Sequence, residues 1–291
     1  MRAPRLATRH KTALARLAAA PVVAARRLAG RGPELEVSRR GIRWRLDLRE
    51  GIDFAIWLLG SFEPSTRRAC ERLVEPGETV VDIGANVGAH TLQLARLVGD
   101  RGRVIAVEPT GFAFGRLEEN LALNPGLATR ATAVQAALIG RRAAEMPTEL
   151  YASWPLRGGA DLHPAHRGRA HGTEGARAVT LDELVGELGV DRVELVKLDV
   201  DGYECEVLHG GQATLREHGP PIVLELAPYA LAEAGASLGE LCGLLSDADY
   251  ELCRLDGSRP LPMAPARLAE LIPAGGSINA LARVQAATAA R

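Results

Sequence analysis

Aromatic side chains are scarce, at 4% of the chain. So thin a supply disfavours a surface built to stack bases. The net charge is -1, so no broad basic field of the kind that grips nucleic acid is present. The four cysteines, Cys70, Cys205, Cys242 and Cys253, form no C-x-x-C pair and no metal spacing. They predict reduced, buried thiols in a cytoplasmic protein. Acids are missing from the first 31 residues, which carry Arg2, Arg5, Arg9, Lys11, Arg16, Arg26, Arg27 and Arg31. The apolar stretch among them, Leu17 to Ala25, is split by Pro21 and is too short to span a bilayer. Arg16 stands where the apolar core of a signal peptide should begin. A loosely ordered, solvated leader is expected here. An amphipathic helix on a membrane surface or a partner is the alternative. No internal repeat is visible.

What is present is a chain of 291 residues with 47% hydrophobic content, enough for one large α/β domain and an accessory segment. Its centre is the run from Thr79 to His90, TVVDIGANVGAH. A buried parallel strand, a glycine-rich turn and a helix from about residue 87 fit this pattern. Gly84 and Gly88 predict backbone angles closed to other residues and room for a ligand against the main chain. Ala85 and Asn86 lie in the same loop, facing the expected helix N-terminus. A second strand, Val104 to Val107, also ends in an acid, Glu108. Glu108 is placed to accept hydrogen bonds from two ribose hydroxyls. The loop should therefore hold a nucleoside-like cofactor. A carboxylate at Asp82 would repel a pyrophosphate, whereas it suits the sulfonium and ammonium of S-adenosylmethionine.

From Thr79 onward strands and helices alternate, with strands near 79–83, 103–107, 130–135, 194–199, 221–226, 250–255 and 277–284. This predicts an α/β fold: a Rossmann-like, mostly parallel seven-stranded sheet with helices on both faces. Three parts are expected: the leader 1–31, a cap of hairpin and helices 32–76, and the main domain 77–291. Phe62 and Glu63 in the cap are expected to serve the core and the surface, with a place at the ligand mouth as the alternative. Asp82, Glu108, Gln135, Asp199 and Glu225 all fall at strand C-terminal ends, where such sheets bind ligands. Gln135 and Ala136 could face an adenine edge or simply form a turn.

A second constellation runs from Glu194 to Leu208, ELVKLDVDGYECEVL. Period-two alternation places Lys197, Asp199 and Asp201 on one face. Alternatively, Lys197 pairs with a neighbouring acid and Asp201 caps the next helix. The segment 146–178, poor in apolar residues, reads as part of a substrate-facing lid or as a solvated loop. It carries His163, His166 and His171, whose spacing fits no strong metal template. A divalent cation held by the paired aspartates is possible but not favoured.

Taken together, VVDIGANVGAHT at 80–91, GRVIAVEP at 102–109, LEENLALN at 117–124, TLDEL at 180–184, VKLDVDGYECEVLHGG at 196–211 and IVLEL at 222–226 closely resemble the FkbM family of S-adenosylmethionine-dependent methyltransferases. The family commonly has Glu where Asp201 stands. The resemblance implies O-methylation of a hydroxyl on a sugar, polyketide, glycolipid or other secondary metabolite. Asp199 and Asp201 are then the candidate bases, ahead of the loop histidines, with Lys197 beside them. Two other readings stand against it, a nicotinamide-dependent oxidoreductase on the same fold and a non-catalytic cofactor-binding module.

Overall fold

A computed structural model describes residues 8–140, 146–157, 159, 161–164 and 167–285. The chain opens with α1 (Thr8–Leu28), the strands β1 (Glu34–Arg39) and β2 (Ile42–Asp47), then α2 (Gly51–Leu59) and α3 (Pro64–Leu73). β1 and β2 pair antiparallel across Arg40-Gly41, both at positive φ (54° and 78°). That is the backbone a two-residue hairpin turn demands. β2 buries Ile42, Trp44 and Leu46 and exposes Arg43 and Arg45 between them. Asn120 and Asn124 accept hydrogen bonds from the Arg45 and Arg43 amides and so tie the hairpin to the main body.

The leader differs from expectation, because residues 8–28 form a helix. Ala15, Ala19, Val22 and Val23 fall on one stripe of α1 and pack with Leu48, Phe54 and Leu156. Burying this stripe offsets the cost of ordering a run rich in positive charge.

The main body follows as β3 (Thr79–Ile83), α4 (Thr91–Leu97), β4 (Arg103–Val107), α5 (Gly111–Ala122), α6 (Pro125–Ala128) and β5 (Ala131–Val134). Next come the short strands β6 (Ala136–Leu138), β7 (Glu149–Ser153), β8 (Arg169–Gly172) and β9 (Arg177–Val179). The chain continues with α7 (Leu181–Glu187), β10 (Leu195–Leu198), α8 (Glu204–Gly210), α9 (Gln212–His218) and β11 (Ile222–Leu226). It closes with α10 (Pro228–Glu233), α11 (Leu238–Asp247), β12 (Tyr250–Arg254), α12 (Pro265–Ala269) and β13 (Ile278–Val284).

Seven strands make one sheet in the order β12-β13-β11-β10-β3-β4-β5. Every pairing is parallel except those of β13, which runs antiparallel to both neighbours. This is the mostly parallel seven-stranded sheet that the alternating pattern predicts. Both faces are covered. Val81, Ile83, Val196 and Leu198 pack toward α7, α8 and α11 on one side, while Val80, Val104 and Leu195 pack with residues of α3 and α4 on the other. Strand order reverses between β3 and β10, and at such a point the connections diverge and leave a crevice.

Gly84, just beyond β3, is at φ 74°, and a Cβ there would lie 1.8 Å from the Asp199 carbonyl oxygen. The side that a Cβ would occupy at Gly84 is thus taken by the neighbouring strand end. Gly88 likewise makes way for Leu117, whose Cδ1 would sit 2.8 Å from an added Cβ. Gly84→Ala should cost roughly 2–3 kcal/mol in urea unfolding, through overpacking and an unfavourable φ. A change below about 0.5 kcal/mol would mean that the β3–β10 approach is looser than described.

Candidate active site

The crevice is built from strand register. Lys197 on β10 stands opposite Asp82 on β3, so their side chains share one face of the sheet. Lys197 Nζ lies 3.4 Å from Asp82 Oδ1 and 3.7 Å from Asp199 Oδ2, and it donates to the Gly84 carbonyl at 2.8 Å. Burial alone would depress this ammonium, but Asp82, Asp199 and Glu63 raise it above the ordinary lysine range. Thr91 Oγ1 donates to Asp82 Oδ2 at 2.7 Å. Asp82 is fully buried and is not among the residues lining the cavity. It anchors Lys197 and the first turn of α4 from beneath the loop, a place set back from the cavity where a ligand cation was expected to meet it. Lys197 accordingly positions the loop; its pairing with a neighbouring acid is the arrangement found.

The loop above is fixed by its own polar groups. Asn86 is left-handed at φ 50°. Its amide N–H donates to Glu108 Oε2 at 3.0 Å, and its Nδ2 donates to the Ala152 carbonyl at 3.0 Å. Glu108 Oε1 accepts from the Thr110 amide (3.0 Å) and from Thr110 Oγ1 (2.6 Å). Burial pushes this carboxyl up, and the three hydrogen bonds pull it back. Residues 86–90 are turns and α4 begins only at Thr91, so the helix starts later than residue 87.

A cavity of about 1000 Å³ opens beyond the strand ends. Gly84, Ala85, Asn86, Glu108 and Ala136 line it among the expected cofactor residues, as do Asp199, Asp201 and Lys197. Gly88 and Gln135 do not. Gln135 Nε2 is turned away to donate to the Glu174 carbonyl at 3.1 Å. Phe62 and Glu63, expected in core and surface roles, both face the cavity. Glu63 sits at φ 41°, accepts from Asn279 Nδ2 (2.6 Å) and Thr66 Oγ1 (2.9 Å), and is pushed up by burial and by Asp199. Asp201 is also left-handed, at φ 48°, and burial, Asp199 and Glu204 hold its carboxyl well above the usual range. Burial, Asp199 and Asp201 do the same to Glu225, which accepts from Ser277 Oγ.

The segment after residue 146 contributes a wall. β7 and β8 pair as an antiparallel hairpin, and the Trp154 carbonyl accepts from the Gly51 amide at 2.9 Å. Glu149, Tyr151, Trp154 and Ala170 thereby reach the cavity. His171 is held apart from it, stacked on Phe112 with centroids 4.0 Å apart and 2.9 Å from Ser153 Oγ. His163 lies 3.2 Å from Glu233 and edge-on to Tyr151, and His166 falls outside the described residues. Among the described residues, no three His, Cys, Asp or Glu side chains gather as a metal cluster.

One histidine went unread in the sequence. His90 lines the cavity, is 5% exposed, and its Nε2 has no partner. Burial, then Lys197, lowers its pKa to about 3, so the ring is neutral. The only signal was its place at the end of the GANVGAH run. Aromatics are concentrated here too: of 11 in the chain, Phe62, Tyr151, Trp154, Tyr203 and Tyr229 line this one cavity.

This geometry can be set beside known proteins. Hexuronic acid methyltransferase AglP of Haloferax volcanii is 29% identical over 136 residues, 47% of this chain and 51% of that protein. Methyltransferase sdnD of Sordaria araneosa is 30% identical over 158 residues, 45% of this chain and 59% of that protein. The chain thus spans little more than half the length of these curated relatives. The solved structure of methyltransferase FkbM from Methylobacillus flagellatus is 16% identical, with 75% of this chain and 50% of that chain covered and a TM-score of 0.43. The Methyltransferase FkbM domain profile matches residues 82–252, more than half of the chain, and takes in the glycine loop, Glu108 and the Lys197–Asp201 strand end. On that match the chain belongs to the FkbM methyltransferase family.

Proposed function

We propose that this chain is an S-adenosylmethionine-dependent O-methyltransferase acting on a hydroxyl of a sugar, polyketide or similar secondary metabolite. The observation that carries the reading is Glu108. It is a buried carboxylate pinned by Asn86 and Thr110, and it lines a cavity at the sheet's switch point. The residues present fit a nucleoside-type donor. Glu108 retains lone pairs for ribose hydroxyls, Pro109 and Ala136 to Ile139 offer an apolar wall, and Asp199 supplies negative charge for a sulfonium. When bound, S-adenosylmethionine supplies an activated methyl group. The chain's own residues then align the acceptor, exclude water and take up the hydroxyl proton. Asp201 is the base in this reading, since a carboxyl raised by burial and by Asp199 binds a proton more strongly than an ordinary one.

The same cavity constrains the acceptor. Glu63, Glu149, Asp201, Glu225 and Glu233 face it, whereas among its described lining residues the lysine or arginine present is Lys197, which Asp82 and Asp199 already engage. A carboxylate-bearing acceptor, such as the hexuronic acid in one relative's name, would meet like charge. The acceptor is therefore neutral or cationic, and the clustered aromatic rings suit the faces of a sugar or polyketide ring.

Calorimetry tests the donor. S-adenosylhomocysteine should bind, and Glu108→Gln should weaken it roughly 10–100-fold, the worth of hydrogen bonds to a charged group. Tight binding of NAD with no heat from S-adenosylhomocysteine would favour the oxidoreductase instead.

A further inference from the structure

The unusual surface of this protein is the outward side of α1. Its inward stripe packs on the body. On a helix that covers a globular domain, the opposite face is ordinarily charged. Here it is apolar: Leu14, Leu17, Pro21, Ala24, Ala25 and Leu28 all point outward and are exposed. They recur at three- and four-residue intervals, which keeps them on one face. Leu14, Leu17 and Leu28 are 56%, 74% and 91% exposed. Leu58 and Leu59 at the end of α2, which α1 contacts, are 54% and 59% exposed. Among the described residues, seven large apolar side chains stand exposed, and these five are on two touching helices. Leu59 and Ala15 also line the cavity. The apolar face therefore runs up to the mouth of the active site.

Charge says what covers it. The 31 residues that include α1 carry eight arginines and lysines and no acid. A second copy of this chain would set one such basic segment against another, and like charge opposes that pairing. An apolar stripe on so basic a segment, with Arg27 and Arg31 exposed, is what an anionic bilayer surface accepts, the leucines entering the headgroup boundary and the cations meeting lipid phosphates. No helix among the described residues is long and apolar enough to cross a membrane, so the contact is one of lying on the surface.

We infer that α1, with the end of α2, docks this protein on anionic phospholipid membranes and holds the cavity mouth against them. Docking does not depend on the proposed methyl transfer. Its consequence for catalysis, that the acceptor hydroxyl is presented at a lipid surface, does rest on that reading.

The test is flotation of the full chain with vesicles. With phosphatidylglycerol and phosphatidylcholine mixed, the protein should float at low salt. Pure phosphatidylcholine vesicles, or 0.5 M salt with the mixed ones, should cut the bound fraction at least about tenfold. The triple substitution Leu14→Gln, Leu17→Gln, Leu28→Gln should abolish flotation, while S-adenosylhomocysteine binding and thermal midpoint stay at wild-type values. Arg27→Ala should weaken it less. Flotation of the triple variant like wild type, or no flotation of wild type with any vesicle, overturns the inference. So does a stable dimer, seen by sedimentation without vesicles and dissolved by the same leucine changes, because a second copy then covers the face. If docking fails while S-adenosylhomocysteine still binds, the methyltransferase reading survives alone.

Discussion

Lys197→Met should lose about 3–5 kcal/mol of stability in urea unfolding, the cost of stranding a buried charge. Asp82 would keep its carboxylate in the sheet interior with only Thr91 for company. Gly84 would lose the donor on its carbonyl, and the loop would lose its tie to β10. Adding Asp82→Asn to Lys197→Met should recover part of the loss, because the charge left unpaired is then gone. Strict additivity of the two single changes would mean that the residues do not act as a pair. The sign with pH follows from the raised ammonium. The folded protein holds that proton more tightly than the unfolded chain, so the contribution is complete below about pH 10.5 and disappears as pH rises through the higher folded value.

Asp201→Asn should lower kcat by about 10²–10⁴, the usual worth of a positioned base, with little effect on S-adenosylhomocysteine binding. The pH profile gives a sharper check. Burial, Asp199 and Glu204 raise the Asp201 carboxyl well above the ordinary aspartate range. A base works only once ionised, so the wild-type rate should climb with pH along a limb displaced upward from that of a free carboxylate. The limb should vanish in Asp201→Asn and persist, shifted downward, in Glu204→Gln, which removes one of the acids that raise it. Unchanged turnover in Asp201→Asn removes this residue from the role of base.

The sheet was legible because buried parallel strands leave a local mark. β3, β4, β10 and β11 are short apolar runs, each followed closely by an acid or ending in one. The positions of Glu108, Asp199 and Asp201 at the crevice follow from that mark. The partner of Asp82 was not legible in the same way. Which lysine faces it depends on β10 lying beside β3, a pairing across more than 100 residues. Asp82 answers to the neighbouring strand and lies outside the cavity lining, whereas Gly84 both meets that strand and lines the cavity. The conformation of α1 was obscured for another reason. Its buried stripe is made of alanines and valines, which signal weakly beside the eight cations of residues 1–31. The length and composition of 146–178 point to a substrate-facing segment. Which of its side chains reach the cavity, Tyr151 and Trp154, and how Glu63 does so depend on tertiary docking of the cap and the β7–β8 hairpin.

The placement of β13 reaches back to the birth of the chain. Among the described residues it is the last strand in sequence, yet it lies between β11 and β12. While the ribosome is still translating, β12 has emerged and finds no strand to zip against. The sheet can close only after residue 284 clears the exit tunnel, and until then β11 offers a bare edge to any passing strand. A bare edge of that kind invites mispairing, so a substitution that slows the docking of β13 should lower the yield of folded protein more than its effect on final stability accounts for.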